Sequence, residues 1–347
     1  NMKKGDKFSE ENVKSIRPGN GLHTKHYWDI LGKECNQDIE FGTPMKLEFL
    51  DNLQNQHSKE YKIIKNKLGY YEIENKPSQT ELEDYYSKKY YQSDKEKGQY
   101  QLEYNDEELE YINNYSKRIY EVVKDKLSDK TFLDVGCGEG YALKNFKDYG
   151  FNVTGIDFSS FGINNHNSSL INNFISGDIY HTIDDLILKN NKYDLINLQN
   201  VLEHVINPIE MMITINSLLT KNGILVIRVP NDFSTLQNHL IDKKYINKQF
   251  WVSPPDHLSY FTLDSLKKLS EFCGYEIIDY MSDYPIDFDL FETHTNYIEN
   301  KVGKYSHLKR IRVENFMCNI SIKKKNNYYK ELCELGCGRE ILIFLQP

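Results

Sequence analysis

Residues 131 to 346 predict an α/β fold, a doubly wound open sheet of mainly parallel strands with crossover helices. Three observations carry this. Short apolar runs rich in β-branched residues alternate with amphipathic stretches of helical period. The first run, "TFLDVG", passes straight into a glycine-rich turn, Asp134-Val135-Gly136-Cys137-Gly138-Glu139-Gly140. Asp157 and Asp178 then follow the next two strand segments, at the carboxyl edge where open α/β sheets bind ligands.

The 347 residues suffice for one large domain with additions, or for two to three smaller ones. Residues 1 to 50 are broken by "RPGNG" (17 to 21) and "FGTPM" (41 to 45), which predicts a small, turn-rich module. Residues 51 to 115 are polar and tyrosine-rich and are expected to form linker or lid helices, with one helix starting at Ser78 or Thr80. Tyr85, Tyr86, Tyr90 and Tyr91 are too many aromatics for a solvated linker; they either pack on the next domain or cover its pocket. Residues 106 to 127 form an amphipathic helix with Leu109, Ile112, Tyr115, Ile119, Val122 and Val123 on one side. The third domain is expected over residues 116 to 347.

Within it, "TFLDVG" is strand one, "ALKNFKDYG" a helix closed by Gly150, "NVTGID" strand two and "YDLINLQ" strand four, with Asp178 marking the end of strand three. Asn207 caps a helix with Pro208 in its first position. That helix is expected to carry Ile209, Met212, Ile215, Leu218 and Leu219 inward and to stop at Gly223. "ILVIRVP" (224 to 230) is a buried strand five, and "DSLKKLSEFCGYEIIDYMSDY" repeats helix, glycine stop and strand. "ILIFLQ" (341 to 346) is expected to close the sheet as an edge hairpin partner, leaving about 285 to 335 as a helical insertion.

Composition narrows the partners. With 43 Lys+Arg against 51 Asp+Glu the chain is acidic, which argues against a wide positive face for nucleic acid. No run approaches the ~18 apolar residues of a membrane span, and the first thirty residues contain no apolar signal core. A cytoplasmic location and a small-molecule partner are expected, with a homodimer as the expected assembly. The six cysteines form no pair of metal knuckles, so reduced thiols and no bound metal are expected.

The glycine spacing is GxGxG. A dinucleotide pyrophosphate wants GxGxxG, and an acid two residues before the first glycine would repel it. A carboxylate at Asp134 suits a ligand bearing an ammonium group instead.

At these residues two resemblances appear. Residues 2 to 50, through "RPGNG" and "ILGKECNQDIEFGTPM", resemble the antifreeze-like (SAF) domain that ends sialic acid and pseudaminic acid synthases. There an arginine of the RPG stretch touches the sugar substrate, and Arg17 is the matching position. Residues 105 to 347 resemble the class I S-adenosylmethionine-dependent methyltransferases, on Asp134 to Gly140, Asp157, Gly177-Asp178-Ile179 and "LINLQNVLEHVINP". The resemblance implies a Rossmann-like methyltransferase sheet and S-adenosylmethionine as cofactor. Its contacts would be Asp134, Gly136, Cys137, Gly138 and Gly140, with Asp157 on the ribose hydroxyls. Asp178 would take the adenine amino group under Ile179, and Phe158, Gln199 and Asn200 would complete the site.

Acceptor chemistry calls for a base, and two histidines follow strand ends. His204 lies in "NVLEHV". In ubiquinone-type O-methyltransferases a similar stretch carries an extra acid and binds a divalent ion; here that position is Asn200, beside only Glu203 and His204, so no metal is expected. "SPPDHLSYFTLDSL" resembles the acid-His-x-x-Tyr-Phe segment of sugar methyltransferases, although Pro254 replaces the family's tyrosine. That resemblance implies His257 as base, oriented by Asp256. A cap on the helix starting near Asp264, or a substrate-orienting donor, are the other readings of His257. In the insertion, His294, Asn296, Tyr297, Arg310 and Arg312 are candidates for holding an acceptor's phosphates. Together these imply methyl transfer to a hydroxyl of a nucleotide-linked sugar or sugar acid in surface-glycan biosynthesis. A cofactor-binding scaffold without turnover, or N- or C-methylation of another small molecule, are the alternatives.

Overall fold

A computed structural model describes residues 1–14, 22, 27–50, 61–82, 85, 103–127 and 129–347. It forms two compact units, Asn1–Lys62 and Ile63–Pro347. In the first, a short helix α1 (Tyr27–Ile30) and isolated bridges Met2↔Ile39, Lys7↔Glu34 and Cys35↔Leu50 enclose a small core of Met2, Phe8, Ile30, Cys35, Phe49 and Leu50. Arg17 and its turn lie outside the described residues, as do Tyr86, Tyr90 and Tyr91.

The second unit begins with a hairpin where a linker was expected. β1 (Ile63–Lys65) and β2 (Tyr71–Ile73) pair antiparallel, and β2 pairs with β8 (Ser259–Tyr260). Its apolar anchors are Tyr70 against Phe261 and Tyr71 stacked on Phe233 at 4.2 Å. Ser78 supplies the helix start: it accepts from the Glu81 N–H while its own N–H donates to the Glu81 carboxylate, closing a capping box.

Helix α2 (Asp106–Val123) follows, capped by Asn105 with Glu108 as reciprocal partner. The main sheet then builds as β3 (Thr131–Val135), α3 (Tyr141–Asp148), β4 (Asn152–Asp157), α4 (Phe161–His166), β5 (Phe174–Ser176), α5 (Ile179–Leu188), β6 (Tyr193–Gln199), α6 (Pro208–Asn216) and β7 (Leu219–Pro230). After α7 (Thr235–Asp242) and α8 (Leu263–Phe272) come β9 (Glu276–Ser282), α9 (Gly303–Glu334) and β10 (Glu340–Gln346). Strand order is β5-β4-β3-β6-β7-β10-β9, with β10 antiparallel to both neighbours and β3 through β7 parallel.

Two expectations are corrected. β10 is an interior strand between β7 and β9, and Ile341 to Leu345 are all buried because helices cover both faces. The Asn207 helix ends at Asn216, so Leu219 and Gly223 belong to β7; a Cβ on Gly223 would stand 2.9 Å from the Tyr193 carbonyl oxygen, which a strand this close to its neighbour excludes. The expected helical insertion consists of a 3-10 turn (Ile286–Phe291) and α9.

Alternation along the strands sorts the two faces. Leu133, Val135, Ile196 and Leu198 join one core layer with α6 and α8. Phe132, Leu195, Val226 and Leu342 join the other, beneath α2, α3 and α9. On that second face the residues two further toward the carboxyl edge are Asp134, Asn197 and Arg228, and the antiparallel β10 brings Glu340 to the same edge. Polar groups thus cap an apolar layer. Phe132 is fully buried, stacked on Phe146 at 4.3 Å and edge-on to Phe151. Phe132→Ala should therefore lower unfolding free energy by about 3–5 kcal/mol, read as a shift of the urea midpoint.

Candidate active site

β3 stops because its chain turns across the end of β4: the N–H groups of Gly136 and Cys137 both donate to the Ile156 carbonyl, at 2.8 and 3.1 Å. Gly136 has φ +73°, and a Cβ there would lie 2.6 Å from Val201 Cγ2, so only glycine fits. Two cavities open on either side of this turn and share Gly136, Gly138 and Gln199.

The smaller, about 440 Å³, is lined by Asp157, Phe158, Asp178, Ile179, Asn200, His204, Asp256 and His257 among others. Asp157 braces the loop, accepting from the Gly138 N–H at 2.9 Å and the Ser159 N–H at 3.1 Å. Asp178 caps α5 through the His181 N–H at 3.0 Å, and its other oxygen accepts from Gln79 at 3.3 Å. It therefore serves the helix end as well as the cavity. Asn200 holds φ +53°, and its N–H donates to the Arg228 carbonyl.

The larger cavity, about 570 Å³, runs from Asp134, Cys137 and Gly140 to Tyr111, Tyr115, Arg228 and His307. Asp134 is buried and accepts a 2.7 Å hydrogen bond from Asn197. Burial, with the Asp157 charge adding to it, holds its carboxyl up at about 7 against that one hydrogen bond. Burial raises Asp157 as well. Tyr104 closes over the loop by donating to the Glu139 carboxylate at 2.9 Å. A main-chain cradle flanked by two carboxylates that resist ionisation fits a cationic ligand bearing hydroxyls.

The histidines come together through the small sheet. The Glu203 carbonyl accepts from the Leu258 and Ser259 N–H groups, at 2.8 and 3.1 Å, and the Leu258 carbonyl accepts from Ile73 of β2. This sets the His204 and His257 rings 4.9 Å apart and edge-on. Asp256, expected from the sequence to orient His257, also contacts His204. The His204 Nδ1 lies 2.6 Å from the Asp256 carbonyl oxygen and 3.9 Å from its carboxylate. A carbonyl only accepts, so Nδ1 carries the proton and Nε2 is the basic nitrogen. The buried Glu203 carboxylate stands 3.9 Å from that Nε2, and burial pushes it well above its usual range. Glu203, His204 and His257 offer three ligand atoms within 4.8 Å of one another, the grouping among the described residues that could hold a metal ion.

Four expected acceptor residues stand elsewhere. Asn296 is buried as a turn cap, accepting from the Ile298 and Glu299 N–H groups. Tyr297 donates to Asp287, Arg312 pairs with Glu107 in solvent, and His294 is exposed; none of the four lines either cavity. Arg310 stands one layer behind the larger cavity, donating to His307. Sequence reasoning missed Glu203 as a buried acid and passed over Tyr104, Arg228 and His307. A lone arginine inside "ILVIRVP" was the available signal, since an unpaired arginine is almost never buried in a strand.

Residues 106–280 match the family model described as "Methyltransferase domain", half of the chain. The chain belongs to that methyltransferase family. Its cofactor is S-adenosylmethionine, and residues 1–50 match the SAF domain. Among curated relatives, a pseudaminic acid synthase of Campylobacter jejuni is 60% identical over 45 residues, 13% of each chain. A ubiquinone biosynthesis O-methyltransferase of Rickettsia bellii is 31% identical over 105 residues, 30% of this chain and 44% of that one. The chain thus spans a small part of the first relative and under half of the second. A solved S-adenosylmethionine-dependent methyltransferase of Archaeoglobus fulgidus is 19% identical, covering 68% of this chain and 94% of its own, with a TM-score of 0.44.

Two expectations follow for this methyltransferase. Binding an ammonium group favours the ionised Asp134, so cofactor affinity should be full above the native value of about 7 and fall as pH drops below it, by up to about tenfold per pH unit. Calorimetric titration with S-adenosylhomocysteine across pH 5.5 to 8.5 checks this, with Asp134→Asn weakening binding and flattening the profile. Asp157→Ala should weaken S-adenosylhomocysteine by about a hundredfold, roughly 2.7 kcal/mol; unchanged affinity would remove Asp157 from the site.

Proposed function

We propose that this methyltransferase acts on a hydroxyl of a sugar acid or nucleotide-linked sugar, with His204 as the base. The observation that carries the catalytic part is the His204 Nδ1 to Asp256 carbonyl contact, which fixes the tautomer and makes Nε2 the basic nitrogen of a ring that lines the cavity. Bound S-adenosylmethionine supplies a methyl group on a positively charged sulfur. The chain's own residues then bind, orient and deprotonate. Asp134 and Asp157 receive the cofactor's polar ends, and the glycine turn lets it lie against the main chain. His204 takes the hydroxyl proton through Nε2, and His257, edge-on beside it, orients the acceptor.

The sugar assignment is supported by the first unit. Its 45-residue segment matches a protein named as a pseudaminic acid synthase, and pseudaminic acid is a nine-carbon sugar acid. A SAF module beside a methyltransferase fits an enzyme working on such acids or their nucleotide derivatives.

The test is S-adenosylhomocysteine release against a panel of sugar acids, nucleotide sugars and neutral sugars. His204→Ala should lower kcat by about 10²–10⁴ with S-adenosylhomocysteine affinity within twofold, and His257→Ala should mainly raise the acceptor KM. The reverse pattern would move the base to His257. Turnover should survive EDTA; loss on chelation would assign Glu203, His204 and His257 to a metal ion instead.

A further inference from the structure

We propose that the cavity between α2, α9 and the carboxyl ends of β6 and β7 is an acceptor subsite for an anionic group, a carboxylate or phosphate, held against Arg228 with His307 beside it. This rests on the methyltransferase reading above and narrows its acceptor to an acid.

Arg228 is the permanent cation of that cavity's described lining, which otherwise offers phenols, carboxyls, amide and apolar groups. It leaves a strand that is apolar on both sides and pairs with Glu340 on β10, with its guanidinium 3.9 Å from the Tyr115 ring centroid. Taking a guanidinium out of water is expensive unless several partners meet it. In the layer that contains it, the cations Arg118, Arg228, Arg310 and Lys325 face the carboxyls Asp283, Glu314 and Glu340, and burial holds a further carboxyl, Glu203, well above its usual range. Burial and the Glu340 charge hold Asp283 up at about 7, so the layer's negative charge is smaller still. An anion entering the cavity would balance it.

His307 adds a neutral donor. Arg310 can only donate, so the 2.9 Å contact makes His307 Nδ1 the acceptor and places its proton on Nε2. Burial and the Arg310 charge both lower the His307 pKa, which keeps the ring in that form near neutrality. Tyr111 and Tyr115 line the same wall, and neither hydroxyl hydrogen-bonds to a described residue. A guanidinium, an imidazole N–H and two phenols therefore border one end of the cavity.

The cofactor's own carboxylate does not answer to this end. Strand register aligns Asp134 with Asn197 and Val226, so Arg228 lies two strands across and two residues further, roughly 12 Å by strand spacing and rise. Its guanidinium moreover pairs with Glu340 on β10, the neighbour of β7 on the side away from β6. An α-amino acid carries its ammonium and carboxylate on one carbon, so an ammonium at Asp134 leaves Arg228 to another ligand. The two cavities meet at Gly136, Gly138 and Gln199, and the Asn200 N–H ties the Arg228 carbonyl to the segment leading to His204. An acceptor lying across that junction would place its acid at Arg228 and a hydroxyl on the His204 side.

The experiment is calorimetric titration of full-length protein saturated with S-adenosylhomocysteine, using inorganic phosphate, N-acetylneuraminic acid and the neutral methyl ester of that acid as probes. The expected result is binding of phosphate and of the acid, with the ester at least tenfold weaker. Arg228→Gln should weaken both anions at least tenfold while S-adenosylhomocysteine affinity stays within twofold. Since that variant strands Glu340, the doubly neutral Arg228→Gln/Glu340→Gln protein is measured in parallel. Absence of phosphate binding together with equal binding of acid and ester would overturn the subsite. So would a fall in S-adenosylhomocysteine affinity in the doubly neutral variant, which would give Arg228 to the cofactor. Failure of the unaltered protein to bind S-adenosylhomocysteine would instead remove the methyltransferase reading and the subsite with it.

Discussion

A carboxyl group buried at the carboxyl edge of the sheet, with one amide as its hydrogen-bond donor, governs this site. Asp134 is held there by the register of β3 against β6, which sets it opposite Asn197. Among the described residues no cation contributes to its ionisation, and Asp157 adds a second carboxyl nearby, so the ionised form is disfavoured. Such a group is a weak element of stability and a strong element of recognition, because a ligand's ammonium relieves the strain that burial imposes. The glycine turn follows from the same constraint: the chain must leave β3 immediately after Asp134 and clear Val201.

The polar edge continues across the sheet as a graded surface. Asp134 and Asn197 lie beside the glycine turn, while Arg228, Glu340 and Asp283 form a denser ionic layer beneath α2 and α9. That layer is roofed by side-chain contacts between the two helices, including Asn114 to Asn315 and Asn315 to the Glu107 carbonyl. The insertion helix therefore builds the wall of the larger cavity, although of the basic residues expected there Arg312 faces solvent and Arg310 stands a layer behind, on His307. Long side chains on an exposed helix face stay hydrated unless something buries them.

The histidine end of the site depends on a different scaffold. His204 follows β6 and His257 precedes β8, more than fifty residues later. What brings them together is main-chain bonding among Glu203, Leu258 and Ile73, so the β1–β2 hairpin buttresses a site whose side chains it does not supply. A tyrosine-rich stretch that reads as linker is in part a structural strut. Its strands are three residues each, too short for an alternating pattern to register.

What the amino-acid sequence determined by itself was the parallel core, the glycine turn, the order of carboxylates along successive strand ends, and the SAF module. These are local: strand period, glycine spacing and cap residues act over a few neighbours, and Asn105, Asn207 and Thr262 cap their helices as such residues do. Tertiary structure alone decided the rest. It made β10 an interior strand, brought Asp256 into contact with His204, buried Glu203, and set Arg228 in a cavity wall while leaving His294, Asn296, Tyr297 and Arg312 outside. Each of these depends on which distant segment lies within about 4 Å of a side chain, and hydrogen bonding and desolvation, unlike helical or strand period, are set by that neighbour and by no pattern along the chain.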